Sequence, residues 1–218
     1  MVRTHTRPAS QLQDLSRSEA LVVLVRHGES QGNVEGLFSS NKDTLPITAL
    51  GEHQARAVAQ ELRKLKVTSV VSSEVLRARQ TAGIISAEFG IEVATDPRLN
   101  ERHMGVLEGT VSQGPTWRFM KDSGVESFPE LVARSSSFMH DVEGGVVVAV
   151  SHGDVVRAPA LWALGLDEIS GFGFRSYNAN MNIYHIQSNH EVALVAVGLP
   201  ALGDLALAKI PKQFIAHV

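Results

Sequence analysis

Two apolar runs in this chain each end on a histidine. LVVLV (Leu21–Val25) leads straight into Arg26, His27 and Gly28, and VVVAV (Val146–Val150) into Ser151, His152 and Gly153. Five consecutive aliphatic residues without polar alternation read as a strand covered on both faces. Such strands belong to a sheet enclosed between helices. The polar residues that follow then sit beyond the carboxyl ends of strands, where open α/β sheets collect their ligands. If the two strands are neighbours, both imidazoles face one crevice.

The rest of the chain keeps the alternation of strand and helix. After a polar loop from Gly28 to Pro46, ITALGEHQARAVAQELRKL reads as a helix capped by Thr48, with Val58, Leu62 and Leu65 at helical spacing. A strand over Val67–Ser73 precedes a second helix, EVLRARQTAGIISAEFG, closed by Gly90 at the C′ position. Ile91–Ala94 is extended, and DPRLNERHMGVLEG reads as loop. Helices are expected over Glu126–Val142, with Phe128, Leu131 and Phe138 apolar, and over Val155–Leu164. Strands are expected over Met181–Ile186 and Val192–Val197. The expected fold is α/β: a three-layer sandwich with a mostly parallel central sheet, helices on both faces and a small insertion over the active site. Residues 1–19 read as a flexible polar lead-in, 20–198 as the domain and 199–218 as a tail. That tail is read as packing on the body, as a dimer contact or as a flap over the crevice.

Composition removes several classes of function. The absence of cysteine excludes disulfides, thiolate metal sites and cysteine nucleophiles. A formal net charge of −3 disfavours a broad nucleic-acid surface. No segment reaches the ~18–20 continuous apolar residues of a membrane span, and the first twenty residues hold no apolar leader core, so the expectation is cytoplasmic. Neither zinc-type histidine spacing nor a nucleotide-binding glycine loop occurs. The site is therefore expected to use no metal and no cofactor.

What remains is a chemistry of histidine, arginine and carboxylate. A neutral imidazole is a competent nucleophile because one ring nitrogen is free. Guanidinium forks neutralise the oxygens of an anionic phosphate ester that would otherwise repel it. A second imidazole, if protonated, stabilises the spreading charge. A carboxyl group must protonate the leaving oxygen and later deprotonate water. His27, Arg26 and His152 supply part of this; Arg77 or Arg79, and Glu101, Glu108 or Glu29, supply the remainder.

VRHGESQGN resembles the signature of the histidine phosphatase superfamily, which includes the phosphoglycerate mutases. Four further segments resemble its motifs in the family's order: TALGEHQA, SSEVLRARQTA, LNERHMGVLEG with GVES after it, and VSHGDVVRA. The resemblance runs from Leu21 to the strands near Val197. It implies a phosphohistidine on His27, with Arg26, Arg77 and His152 holding the phosphate and Glu101 acting as acid and then base. Asn33 and Gly153 are implied as phosphate or substrate contacts. Asp154 departs from the family pattern, where glycine is commoner, and stands where it can perturb His152. The insertion between Gly109 and Gly124 is shorter than in cofactor-dependent mutases, which favours a metal-independent phosphomonoesterase acting on a small phosphorylated metabolite. A cofactor-dependent phosphoglycerate mutase is the first alternative. A non-catalytic phospho-ligand or protein-binding module is the second, against which stand intact His27 and Glu101. A homodimer is a family-level expectation. Among the other residues, Arg157 is expected in an ordinary salt bridge, Glu29 as a structural partner for an arginine and His103 at the rim. His53, His140, His185, His190 and His217 are expected at the surface, and Trp117, Phe119 and Met120 in the core or along an apolar rim.

Overall fold

The computed structural model describes residues 18–112, 123–200 and 210–216. The expectations for residues 1–17, for Trp117, Phe119 and Met120 in the insertion, for 201–209 of the tail and for His217 lie outside the described residues. Six strands form one sheet in the order β3-β2-β4-β1-β5-β6: β1 (Ala20–Arg26), β2 (Val67–Ser72), β3 (Val93–Thr95), β4 (Gly145–Ser151), β5 (Met181–Ile186) and β6 (Val192–Leu199). The pairings β2/β3, β2/β4 and β1/β4 are parallel, while β5 runs antiparallel to both its neighbours. The sheet is thus mixed: from the β3 edge to β1 the strands run parallel, and β5 alone runs against the rest.

Among the described residues five α-helices accompany it: α1 (Gln31–Glu35), α2 (Ala49–Leu62), α3 (Leu76–Phe89), α4 (Phe128–His140) and α5 (Gly153–Ala163). The period-2 alternation of β1 explains the layering. Leu21, Val23 and Val25 point into a core shared with Val58, Ala59 and Leu62 of α2 and Ala78, Ala82 and Ile85 of α3. Ala20, Val22 and Leu24 face the opposite way, onto Phe138 and Met139 of α4 and Val156 of α5. β1 is apolar on both sides because it has helices on both sides.

Several boundaries move from the expected positions. Helix α1 lies inside the stretch expected to be loop, started by a capping box in which Ser30 and Asn33 satisfy each other's backbone. α4 begins at Phe128 because Ser127 is its N-cap, paired reciprocally with Glu130. α5 begins two residues before the expected start, directly on Gly153. Thr48 caps α2 as expected, its Oγ1 accepting from Gly51 N at 3.1 Å. The described end of the tail packs on the body: Ile210 and Phe214 enter the α2/α3 core, and Ile215 bridges to Leu65.

Candidate active site

β1 and β4 are adjacent, parallel and in register, with Arg26 opposite Ser151. The residues that follow, His27 and His152, therefore leave the sheet side by side, their rings 5.2 Å apart, edge to face. Both are buried, at 1% and 0% exposure. The Gly28–Glu29 turn after β1 lies flat on the start of α2. A Cβ on Gly28 would stand 2.4 Å from Gly51 O, and one on Gly51 2.1 Å from Glu29 O, so both glycines are needed for the approach. Gly28 N also donates to Thr81 Oγ1 of α3 at 3.0 Å.

This fixes the tautomer of His27. Its Nδ1–H donates to Gly28 O at 2.6 Å, leaving Nε2 with the lone pair, which accepts from Arg77 Nε at 3.0 Å. Burial, and then the charges of Arg77 and Arg26, hold the imidazole well below its ordinary pKa, so it is neutral. His152 is fixed from behind. Ser73 Oγ gives its hydrogen to Asn100 Oδ1 at 3.0 Å, so at 2.8 Å it accepts from His152 Nε2. Nδ1 of His152 makes no hydrogen bond among the described residues and lies 3.6 Å from Glu101 Oε2. Burial, Arg77, His27 and Arg26 depress this imidazole too, so the protonation considered from sequence is not what the residues at hand favour; an arriving dianion would offset those cations.

Arg77, on the first turn of α3, is 4% exposed; its Nη2 donates to Ser39 O at 2.8 Å and lies 3.6 Å from Glu101 Oε2. Arg79, two residues on, turns away to an exposed pair with Asp43. Glu101 Oε1 accepts from Arg102 N at 2.9 Å. Its pKa is raised, by burial first and by Asp154 against the lowering effect of Arg77, so it can hold a proton. Glu108 instead receives Ser40 N and Oγ, each at 2.7 Å, and Glu29 accepts from Thr48 Oγ1 at 2.8 Å where an arginine had been expected. Asp154 pairs with Arg157 at 2.6 Å, and its charge raises the pKa of both Glu101 and Arg26.

Arg26, His27, Asn33, Arg77, Glu101 and Gly153 line one cleft of about 570 Å³. His152 lies beneath its wall, fully buried. Gly153 opens α5 against the Arg26 guanidinium, where a Cβ would sit 3.4 Å from Cζ. Arg26 Nε is a second buried nitrogen without a partner among the described residues, beside His152 Nδ1. Asn33 keeps its Oδ1 on Ser30 and on Asn178 Nδ2. The cleft thus gathers a neutral imidazole lone pair, two guanidiniums and a protonatable carboxyl: the parts needed to move a phosphoryl group.

Sequence reasoning missed the residues that hold these in place. Ser73 and Asn100 fix His152, Arg102 braces Glu101, and the segment 175–178 closes one wall. There Arg26 Nη1 donates to Ser176 O, and Asn178 Nδ2 donates to His27 O at 3.0 Å. The one available signal was the polar turn FRSYNA before β5, where Ala179 takes a left-handed conformation (φ 62). His53, His103, His140 and His190 are exposed, but His185 is half-buried on β5, 3.3 Å from Glu19 and edge to face with Phe214. Among the described residues no cluster of three His, Asp or Glu side chains suits a metal ion, and no helix is long and apolar enough to cross a membrane.

Residues 22–197 match the family described as histidine phosphatase superfamily (branch 1). A probable phosphoglycerate mutase GpmB from Serratia proteamaculans is 37% identical over 185 residues, which cover 77% of this chain and 86% of that protein. A 2,3-bisphosphoglycerate-dependent phosphoglycerate mutase from Thermoplasma acidophilum is 30% identical over 188 residues, 82% of this chain and 94% of the other. Among solved structures, a mycobacterial glucosyl-3-phosphoglycerate phosphatase superposes with a TM-score of 0.69 at 25% identity, over 83% of this chain and 99% of its own.

Proposed function

The chain belongs to the histidine phosphatase superfamily, and from that premise we propose that it is a metal-independent phosphomonoesterase acting on a small phosphorylated metabolite through a phosphohistidine on His27. The observation that carries this reading is the state of His27: Nδ1–H tied to a carbonyl and Nε2 carrying its lone pair beside two guanidiniums. Arg26 and Arg77 draw the phosphate against Nε2. Nε2 attacks phosphorus, the bond to the ester oxygen breaks, and Glu101 gives its proton to that oxygen. The dianion, as it binds over His152, favours a proton on Nδ1, taken up from solvent on binding and returned when phosphate leaves. Glu101, now a carboxylate, then takes a proton from water as the water attacks the phosphohistidine. Phosphate leaves and His27 returns neutral.

The similarity to proteins named as phosphoglycerate mutases favours a second reading, a mutase, in which the phosphoenzyme passes its group to another hydroxyl. The short insertion after Gly109 speaks for hydrolysis, because retaining the phosphoryl donor demands a closed site. The test measures phosphate release from a panel of phosphomonoesters beside isomerisation of 3-phosphoglycerate, with and without a bisphosphoglycerate primer. Unprimed phosphate release that vanishes in His27→Ala is expected. Primed isomerisation without net release would establish the mutase, and undiminished turnover in His27→Ala would remove the nucleophile.

A further inference from the structure

Glu101 is gripped from both sides by its chain neighbours. Asn100 binds the turn after β2: its Oδ1 accepts from Ser73 Oγ (3.0 Å) and Glu74 N (2.8 Å), and its Nδ2 donates to Glu74 at 2.7 Å. Arg102 reaches the other way. Its side chain is 4% exposed and spans three separate segments. Nε donates to Glu126 O (2.7 Å) just ahead of α4, and Nη1 to Asp154 (3.4 Å) in the first turn of α5. Nη1 also donates to Glu168 Oε1 (2.5 Å) in the segment beyond α5. Its backbone N–H meanwhile donates to Glu101 Oε1. Arg102 therefore holds the carboxyl by its main chain and is itself held by its side chain.

A buried arginine among carboxylates is weak evidence for stability, because dehydrating the charges offsets their attraction. What a planar guanidinium supplies is direction, since its donors fix where the attached backbone must lie. Arg102 does not line the cleft, and its guanidinium is turned towards Glu126, Asp154 and Glu168. Oε1 of Glu101 takes the Arg102 N–H, and Oε2 faces Arg77 Nη2 and His152 Nδ1, each at 3.6 Å.

We infer that Arg102 is a positioning residue: anchored by Glu168, Asp154 and Glu126, it sets the direction from which Glu101 presents its carboxyl to the departing ester oxygen. This rests on the reading of Glu101 as proton donor. A displacement of about 1 Å at such a group can cost on the order of 100-fold in rate, and only where a proton must be delivered. p-Nitrophenolate departs without one; an alkoxide does not.

The test compares kcat/KM for an alkyl monoester with that for p-nitrophenyl phosphate in the wild-type chain, Arg102→Met, Arg102→Lys, Glu168→Gln and Glu101→Gln. This parameter reports transfer to His27 and is not masked by slow hydrolysis of the phosphoenzyme. Arg102→Met is expected to lower the alkyl-to-nitrophenyl ratio by about tenfold or more. Arg102→Lys should recover part of the ratio, and Glu168→Gln should shift it the same way by less. A ratio unchanged within about twofold in Arg102→Met, where Glu101→Gln lowers it, overturns the inference and leaves Glu101 as the donor. An unchanged ratio in Glu101→Gln overturns both. Should Arg102→Met not fold, Glu168→Gln decides on the same criterion.

Discussion

At the scale of single residues the site works by opposing shifts. Burial and guanidiniums push His27 below 6.5, while burial and the charge of Asp154 push Glu101 above 4.5. A carboxyl and an imidazole thus approach from opposite sides the protonation states that phosphoryl transfer needs. The nucleophile is available on the acid side of its ordinary range, and the donor keeps its proton beyond its own. p-Nitrophenyl phosphate loses its second proton at lower pH than an alkyl monoester, so each kcat/KM is first divided by the dianion fraction of its own substrate. In the alkyl-to-nitrophenyl ratio the groups common to both reactions then cancel and Glu101 remains. The ratio of kcat/KM values is therefore expected to fall as pH rises through the raised Glu101 value, and to lose that pH dependence in Glu101→Gln. A pH-independent ratio in the wild-type chain would show that another group delivers the proton. Asp154→Asn should move the fall to lower pH, because removing a nearby negative charge lets Glu101 ionise earlier.

Among the elements, the most constrained contact is the turn after β1 against the first turn of α2. Two backbones meet there with no room for a methyl group at Gly28 or Gly51. Gly51→Ala, in a helix that would otherwise welcome alanine, is accordingly expected to destabilise by about 1–3 kcal/mol, the range for overpacking a close contact. It should also depress kcat by displacing His27. Urea denaturation and steady-state rates check this, and a neutral or stabilising alanine would mean that the contact is looser than described. The elements were unevenly legible beforehand. β1, β4 and the capped start of α2 were readable because unbroken apolar runs and a threonine N-cap are local signals. α1 was not, because Asn33 replaces the glutamate or glutamine by which a capping box is usually read. The five residues expected to share the phosphate do converge, whereas Ser73, Asn100, Arg102 and Asn178 could not be foreseen. Their long-range partners lie 24 to 151 positions away, and nothing in a hydroxyl, an amide or a guanidinium marks such pairing in the sequence.

The whole molecule carries the cost of this site in its response to acid. Two buried imidazoles hold values well below 6.5, so the unfolded chain binds protons there that the folded one refuses. Their contribution to stability is complete above 6.5 and declines as pH falls below it. Glu101 opposes them, since the folded state keeps its proton above the 4.5 at which the unfolded chain releases it. Asp96 and Glu130, shifted down, act only below their ordinary range. With two groups against one, the urea midpoint is expected to drop between about pH 6.5 and 5. The double variant His27→Gln/His152→Gln should lose that drop. A midpoint in the wild-type chain that is flat across this interval would mean that the imidazoles are not held neutral.

The register of β1 on β4 has one more result. Neighbouring strands stand about 4.8 Å apart, so the hydrogen-bond ladder itself acts as a gauge for the gap between the two rings. Adding or deleting one residue in either strand would swing its histidine to the opposite layer. Changes of length can therefore be absorbed in the surrounding loops but not in these two rails, which hold the imidazoles at one separation and on one side.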